Sequence, residues 1–94
     1  MNRYRAVIHN DTLDEYGVII EQERSHLGKD FINAALSHGL DEIYHYGKDA
    51  KQVSIDFYSN GVLIFTMYLI TYECGLDVFT DVYLEENCIR TIKQ

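Results

Sequence analysis

The sequence predicts an α+β fold: an antiparallel β-meander of four to six strands with one main helix, residues 26–38, packed on one face. Two apolar runs that flank Ser59-Asn60-Gly61 indicate a β-hairpin in the middle of the chain. Further alternating segments precede and follow this hairpin. Apolar residues recur at clear helical spacing only between Ser25 and Gly39. These observations together predict one sheet with a single packed helix.

Length and composition predict one globular domain, residues 1–94. A chain of this size buries only about 60 to 65% of the surface that it exposes when unfolded. Its 47% hydrophobic and 24% charged residues are typical of globular proteins. No apolar run reaches the roughly 18 residues of a membrane span, and the first residues lead into no signal-type segment. We therefore expect a cytoplasmic protein.

The N-terminal part of the chain contains one clear strand and one ambiguous segment. Alternation over residues 3–9 predicts a strand. Residues 12–22 are compatible with two structures. Their Thr-x-x-Glu spacing resembles a helix capping box, whereas a β-branched run at 18–20 favours a strand. We prefer a hairpin-like pair formed by residues 3–9 and 17–22.

The predicted helix spans residues 26–38. Ser25 is a suitable N-cap, and Gly39 is placed to end the helix in left-handed geometry. An apolar stripe marks the face that packs on the sheet, namely Leu27, Phe31, Ile32, Ala34, Ala35 and Leu36. Residues 41–46 are compatible with a helical turn or an extended segment, and periodicity does not decide between them.

The central hairpin sets the predicted register of the sheet. A three-residue loop, Ser59-Asn60-Gly61, requires a left-handed residue at Gly61 and places Tyr58 opposite Val62. Six large apolar side chains then share one face: Val53, Ile55, Phe57, Leu63, Phe65 and Met67. Together with the helix, we expect a core formed by Phe31, Ile55, Phe57, Phe65, Met67 and Val82.

The C-terminal part alternates most clearly between residues 77 and 85. With Tyr72 opposite Asp77, the apolar series continues on the core face as Val78, Thr80, Val82 and Leu84. Residues 86–94 are left open between a last strand and a helix. The two cysteines, Cys74 and Cys88, are not spaced as a metal pair, and we expect buried or half-buried free thiols.

The sequence contains no motif that names a reaction. It has no glycine-rich phosphate loop, no paired-cysteine metal motif, no HExxH and no Gly-x-Ser-x-Gly. Three groups of residues are weak candidates for chemistry. His38 and Glu42, with Asp41 and His45 nearby, are candidates for a metal site. His9 with Asp11 and His26 with Asp30 are candidates for acid–base pairs. Solvated helix ends and surface pairs explain these residues equally well. We expect no enzyme, no cofactor and no metal.

Charge restricts the class of partner. The 15 acidic residues against 8 basic ones give a formal net charge of -7, which disfavours binding to nucleic acid or anionic lipid. The 38 residues from Gln52 to Ile89 contain six acidic residues and no Lys, Arg or His. Either this acidity only increases solubility, or the strand-rich half projects a negative field that attracts basic partners.

The outer face of the predicted sheet mixes rings with carboxylates. It gathers Asp56, Ile64, Tyr68, Ile70, Tyr72, Phe79, Asp81, Tyr83 and Glu85. This face is covered by the N-terminal segment or by residues 41–46, forms a homodimer seam, or docks on a basic partner protein. For the last possibility we assign partner binding to Asp56, Tyr68, Tyr72, Asp77, Phe79, Asp81, Tyr83 and Glu85.

These features predict a small acidic inhibitor that occupies the basic groove of a nucleic-acid-binding protein. Carboxylates two residues apart on a strand lie about 6.8 Å from each other, close to the spacing of successive phosphates. In composition, though in no motif, the chain resembles small phage and mobile-element proteins that block host nucleases, including anti-CRISPR and anti-restriction inhibitors. The alternatives are a toxin-neutralising or regulatory binding module and a structural homodimer.

Overall fold

The computed structural model describes residues 1–94, except for the side chain of Lys48. Six strands and one α-helix follow one another as β1 (Asn2–Asn10), β2 (Glu15–Arg24), α1 (Lys29–Tyr46), β3 (Gln52–Ser59), β4 (Val62–Cys74), β5 (Asp77–Leu84) and β6 (Asn87–Lys93). The strands form one sheet in the order β2-β1-β3-β4-β5-β6, with every neighbouring pair antiparallel. The predicted α+β fold is confirmed. Residues 15–24 and 87–93 are strands, which resolves both open segments.

Helix α1 differs from the prediction at both ends. It begins at Lys29, and its N-cap is Gly28, which provides no side-chain hydrogen bond. Ser25 is therefore not the cap; its hydroxyl lies 3.0 Å from the Nδ1 atom of His26. The helix continues to Tyr46, so residues 41–46 are helical.

Gly39 lies inside the helix and does not end it. A Cβ at this position would lie 3.0 Å from Cδ1 of Ile55 and 3.3 Å from Cδ2 of Leu69. The glycine therefore lets α1 approach the sheet closely, which explains why a helix former does not occupy the position. Leu40 and Ile43 continue the apolar stripe into the added turns.

The central hairpin has a shorter loop than predicted. Ser59 pairs with Val62, so only Asn60 and Gly61 form the turn, with φ values of 51° and 82°. Positive φ at both positions is typical of a type I′ turn, which Asn-Gly favours. The positive φ at Gly61 is confirmed, but the three-residue loop was wrong.

A bulge in the hairpin changes the predicted pairs. Phe57 pairs with Phe65 and Tyr58 with Leu63, so the register shifts between the two pairs. Relative to the prediction, the partners of Phe57 and Ile55 move by two residues, and an even shift leaves both on the same face. Leu63 is the exception. It is 52% exposed, and its assignment to the core was wrong.

The next hairpin is also tighter than predicted. Cys74, not Tyr72, pairs with Asp77, and Gly75 and Leu76 form the turn with Gly75 at φ 65°. This shift of two residues again leaves the faces unchanged: Val82 pairs with Leu69, whereas the predicted register placed it opposite Met67. Cys74 is exposed near the hairpin tip and Cys88 on the edge strand β6, so the prediction of buried thiols was wrong.

The core lies between α1 and one face of the sheet. Phe31, Ile55, Phe57, Met67 and Val82 are buried there, as predicted. Phe65 is only half-buried and stacks on Phe57 with ring centroids 4.6 Å apart.

Among the described residues, no helix combines the length and apolarity needed to cross a membrane.

Candidate partner-binding face

The side of the sheet opposite α1, called the outer face below, brings the predicted site residues together. Tyr68 pairs with Ser54 on β3 and with Tyr83 on β5. One row further along, Ile70 pairs with Asp81, and Tyr72 then pairs with Phe79. Neither of the predicted covers lies over these rows, because the N-terminal segment is strand β1 and residues 41–46 belong to α1. The first of the three interpretations of this face, a covered surface, was therefore wrong.

Aromatic rings form the centre of the outer face. Tyr72 and Phe79 stack with centroids 5.8 Å apart and an interplanar angle of 26°. Tyr72 is 41% exposed, while Tyr68, Phe79 and Tyr83 are half-buried. The edges of the half-buried rings are fixed by neighbouring strands, and such rigid rings bind a partner at low cost in conformational entropy.

Hydroxyl groups orient two carboxylates on this face. Asp81 Oδ1 accepts hydrogen bonds from the hydroxyls of Tyr72, at 3.2 Å, and Thr91, at 2.7 Å. Asp56 Oδ1 accepts one from the Thr66 hydroxyl at 2.8 Å. Hydroxyl donors hold a carboxylate in place without neutralising it, so both aspartates retain their charge. Among the described side chains, the Oδ2 atoms of Asp56 and Asp81 have no hydrogen-bond donor.

The hydroxyl of Tyr72 remains a donor at neutral pH. Partial desolvation and the hydrogen bond to Asp81 raise the pKa of Tyr72 above its usual value. The contact between Tyr72 and Asp81 therefore persists over the whole physiological range. It links the exposed ring to the charged group that lies one row away.

Two of the acidic residues predicted to bind a partner have unexpected surroundings. Asp77 lies 3.5 Å from the Nζ atom of Lys93, so a cation on β6 compensates its charge. Glu85 lies in the turn after β5, at φ 56°, and its amide donates to the Thr66 carbonyl at 3.2 Å. Glu85 is thus at the rim of the outer face, and Asp77 is the weakest of the predicted partner-binding carboxylates.

The carboxylates do not reproduce phosphate spacing. Asp77, Asp81 and Glu85 are four residues apart, which corresponds to about 13 Å along a strand, and rings stand between them. These carboxylates are therefore about twice as far apart as the spacing of about 6.8 Å that resembles successive phosphates. The arrangement offers rings and isolated charges in alternation and not a row of closely spaced charges.

Basic groups lie at the margins of the outer face. Arg3 pairs with Glu21 at 3.1 Å and with Glu23 at 3.3 Å, on the β1–β2 side. Lys93 pairs with Asp77 on the β6 side. Strands β3, β4 and β5 contain no Lys, Arg or His between these margins. The uncompensated charge is therefore concentrated on Asp56 and Asp81 in the middle and on Glu85 at the rim.

Of the two acid–base candidates, His9 and Asp11 are brought together, whereas His26 and Asp30 are not. Asp11 Oδ1 lies 2.5 Å from His9 Nδ1, and the same oxygen accepts the Ser54 hydroxyl at 2.8 Å. An activated serine must contact the imidazole itself, whereas here Asp11 separates the two. Asp30 binds Arg24 at 2.7 Å and not His26, and this guanidinium lowers the pKa of the Asp30 carboxyl.

The metal candidates on α1 do not gather into a site. Among the described residues, no group of three His, Cys, Asp or Glu side chains could hold a metal ion.

Comparison of the chain with protein-family models, with curated proteins and with solved structures finds no match.

Proposed function

We propose that this protein is a small acidic inhibitor whose outer face docks in the basic groove of a nucleic-acid-binding protein and blocks it. The observation that carries the proposal is the uncovered middle of the sheet, where rings lie between hydroxyl-held carboxylates and no basic residue is present. The compositional resemblance to anti-CRISPR and anti-restriction inhibitors suggests a phage or mobile-element protein as its source.

The two kinds of side chain have different roles in this proposal. Tyr68, Tyr72 and Tyr83 are anchors that fill pockets on the partner, because large rigid rings dominate the binding energy of protein interfaces. Asp56 and Asp81 each offer a free oxygen to a guanidinium or ammonium group. A groove that holds nucleic acid combines cations with stacking side chains, so it is complementary to both.

A charge reversal on the outer face tests the proposal. Proteins retained from a bacterial lysate at low salt by the wild type are compared with those retained by an Asp81→Lys and Glu85→Lys double variant. The matched control is an Asp41→Lys and Asp49→Lys double variant, which changes the net charge by the same amount at exposed positions on α1 and just after it. We expect the wild type and the control to retain one nucleic-acid-binding protein that the outer-face variant loses.

A competition assay completes the test. The retained protein should lose its nucleic acid when this protein is added at low salt. Simultaneous binding of both ligands, or equal retention by the outer-face variant, would contradict the proposal. Retention of a small toxic protein instead would favour toxin neutralisation.

A homodimer is the second candidate, and the edge strand β2 favours it. This strand exposes Tyr16, Val18 and Ile19 beside an unpaired strand edge, and such edges readily pair with another strand. Sedimentation at several concentrations distinguishes this candidate. If Ile19→Lys dissociates a dimer and Asp81→Lys does not, the dimer forms through β2.

A further inference from the structure

A cluster of titratable side chains lies at the turn between β1 and β2, at the border of the outer face, where His9 pairs with Ser54. The His9 Nδ1 atom contacts Asp11, and its Nε2 atom lies 3.2 Å from Asp14 Oδ1. The His9 side chain is only 18% exposed, whereas that of Asp14 is 93% exposed. One imidazole therefore bridges two carboxylates at opposite ends of the same turn.

The other groups around His9 provide no second cation. The ring of Tyr16 on β2 lies 4.5 Å from the imidazole, centroid to centroid. On β3, Ser54 and Gln52 both donate to Asp11, at 2.8 and 3.0 Å. On the same side of the sheet, Asp56 is two residues after Ser54 on β3, and Arg5 is four residues before His9 on β1. Among the described side chains, no Lys or Arg pairs with Asp11 or Asp14.

The two aspartates depend on His9 to different degrees. An imidazolium donates from both ring nitrogens, whereas a neutral imidazole donates from only one. Asp11 keeps the donors of Ser54 and Gln52 when His9 loses its proton. Asp14 has no other donor among the described side chains, and its φ of 53° is an unfavourable conformation for a residue with a Cβ.

The rest of the turn is held by contacts that do not titrate. Asn10 Oδ1 accepts the amides of Thr12 and Leu13, both at 3.1 Å, and the Gln52 amide donates to the Thr12 hydroxyl at 3.0 Å. These contacts fix residues 10–13. They leave Asp14 and the first residues of β2 as the part that responds to the charge of His9.

We propose that His9 is a proton-dependent clasp of the β1–β2 turn: the imidazolium holds Asp11 and Asp14 together, and its deprotonation frees Asp14 and loosens the start of β2. Residues 15–17 then pair less firmly with the end of β1, while the rest of the sheet is unchanged. The free edge strand β2 is thereby more accessible at higher pH. The clasp is independent of the proposed inhibitor function.

The raised pKa of His9 sets the direction in which the clasp responds to pH. The hydrogen bond with Asp11 raises the pKa, burial opposes it, and Asp14 adds to the increase, so the net effect is a raised value. Stabilisation by the clasp is fully present below about pH 6.5, the ordinary histidine value. It is lost as the pH rises through the raised pKa of the folded state.

An NMR titration tests the clasp in the full chain. We expect the imidazole of His9 to titrate above the ordinary histidine value, because Asp11 and Asp14 favour its protonated form. The amide signals of residues 14–17 should move with the same midpoint, and their exchange protection should fall across it. Asp14→Asn should lower the midpoint of His9 and remove the pH dependence of these amides.

Two further results complete the experiment. His38→Gln, a matched change on α1, should leave the response of residues 14–17 intact, whereas His9→Gln should abolish it. A His9 midpoint that Asp14→Asn leaves unchanged would overturn the proposal. Amides of residues 14–17 that do not respond while His9 titrates would also overturn it, because the imidazole would then hold nothing that depends on its proton.

Discussion

At the residue scale, conformations of single positions could be predicted more reliably than their partners. Gly61 requires positive φ in the predicted three-residue loop and in the observed two-residue loop, so this prediction was correct although the turn type was wrong. The Asn60-Gly61 pair is itself the signal for a two-residue type I′ loop and would have corrected the register. By contrast, no sequence pattern indicates that Lys93 compensates Asp77 or that Thr91 holds Asp81, because both contacts depend on how β5 and β6 pair.

A substitution at Gly61 tests the turn directly. Gly61→Val should lower the free energy of unfolding by more than about 1 kcal/mol, because a β-branched residue is strained at a φ of 82°. A built Cβ meets nothing within 4 Å, so the cost is conformational and not steric. Urea denaturation measures it. Asn60→Gly, at the other positive-φ position, is the control and should change stability little; a Gly61→Val protein as stable as this control would contradict the type I′ turn.

At the element scale, periodicity predicted β1, β3, β4 and β5 and favoured a strand for β2, but it left β6 open between a strand and a helix and made the helix α1 too short. Apart from Leu63 at the bulge, the alternation along β3, β4 and β5 assigned their faces correctly, because the register errors beyond the bulge were even. The helix was predicted to end at Gly39 because glycine is common there, yet this glycine serves close packing against Ile55. The continuing spacing of Leu36, Leu40 and Ile43 was the signal for the longer helix.

Two phenylalanines in the central hairpin test how the helix packs on it. Phe57 is 1% exposed and contacts Phe31 edge-on with centroids 6.4 Å apart, so Phe57→Ala should destabilise by about 3 to 5 kcal/mol. Phe65 is only half-buried, and Phe65→Ala should cost clearly less. Chemical denaturation of both variants gives the comparison. A larger loss for Phe65→Ala would mean that the core is centred further along β4 than the structure places it.

At the scale of the whole molecule, the uneven charge and the one-sided helix combine into a single binding hypothesis. A six-stranded sheet with one helix leaves its second face open, and the sequence concentrates rings and acidic residues on the strands that form the middle of that face. The existence of such a face could be predicted from alternation. Its uncovered state could not, because that depends on where α1 and the N-terminal strand pack.

Salt separates the two kinds of contact that the outer face offers. Exposed charge pairs are screened beyond about 8 Å at physiological ionic strength, whereas burial of a ring is hardly affected by salt. With the partner from the lysate experiment, Glu85→Lys should therefore weaken binding strongly at low salt and only slightly at high salt, mainly through slower association. Tyr68→Ala should weaken binding by a similar factor at both salt concentrations, mainly through faster dissociation. Association and dissociation rates at two salt concentrations distinguish these patterns. The hypothesis would be contradicted if Tyr68→Ala bound as tightly as the wild type at low salt and both proteins lost all affinity at high salt. The interaction would then be only non-specific attraction between opposite charges.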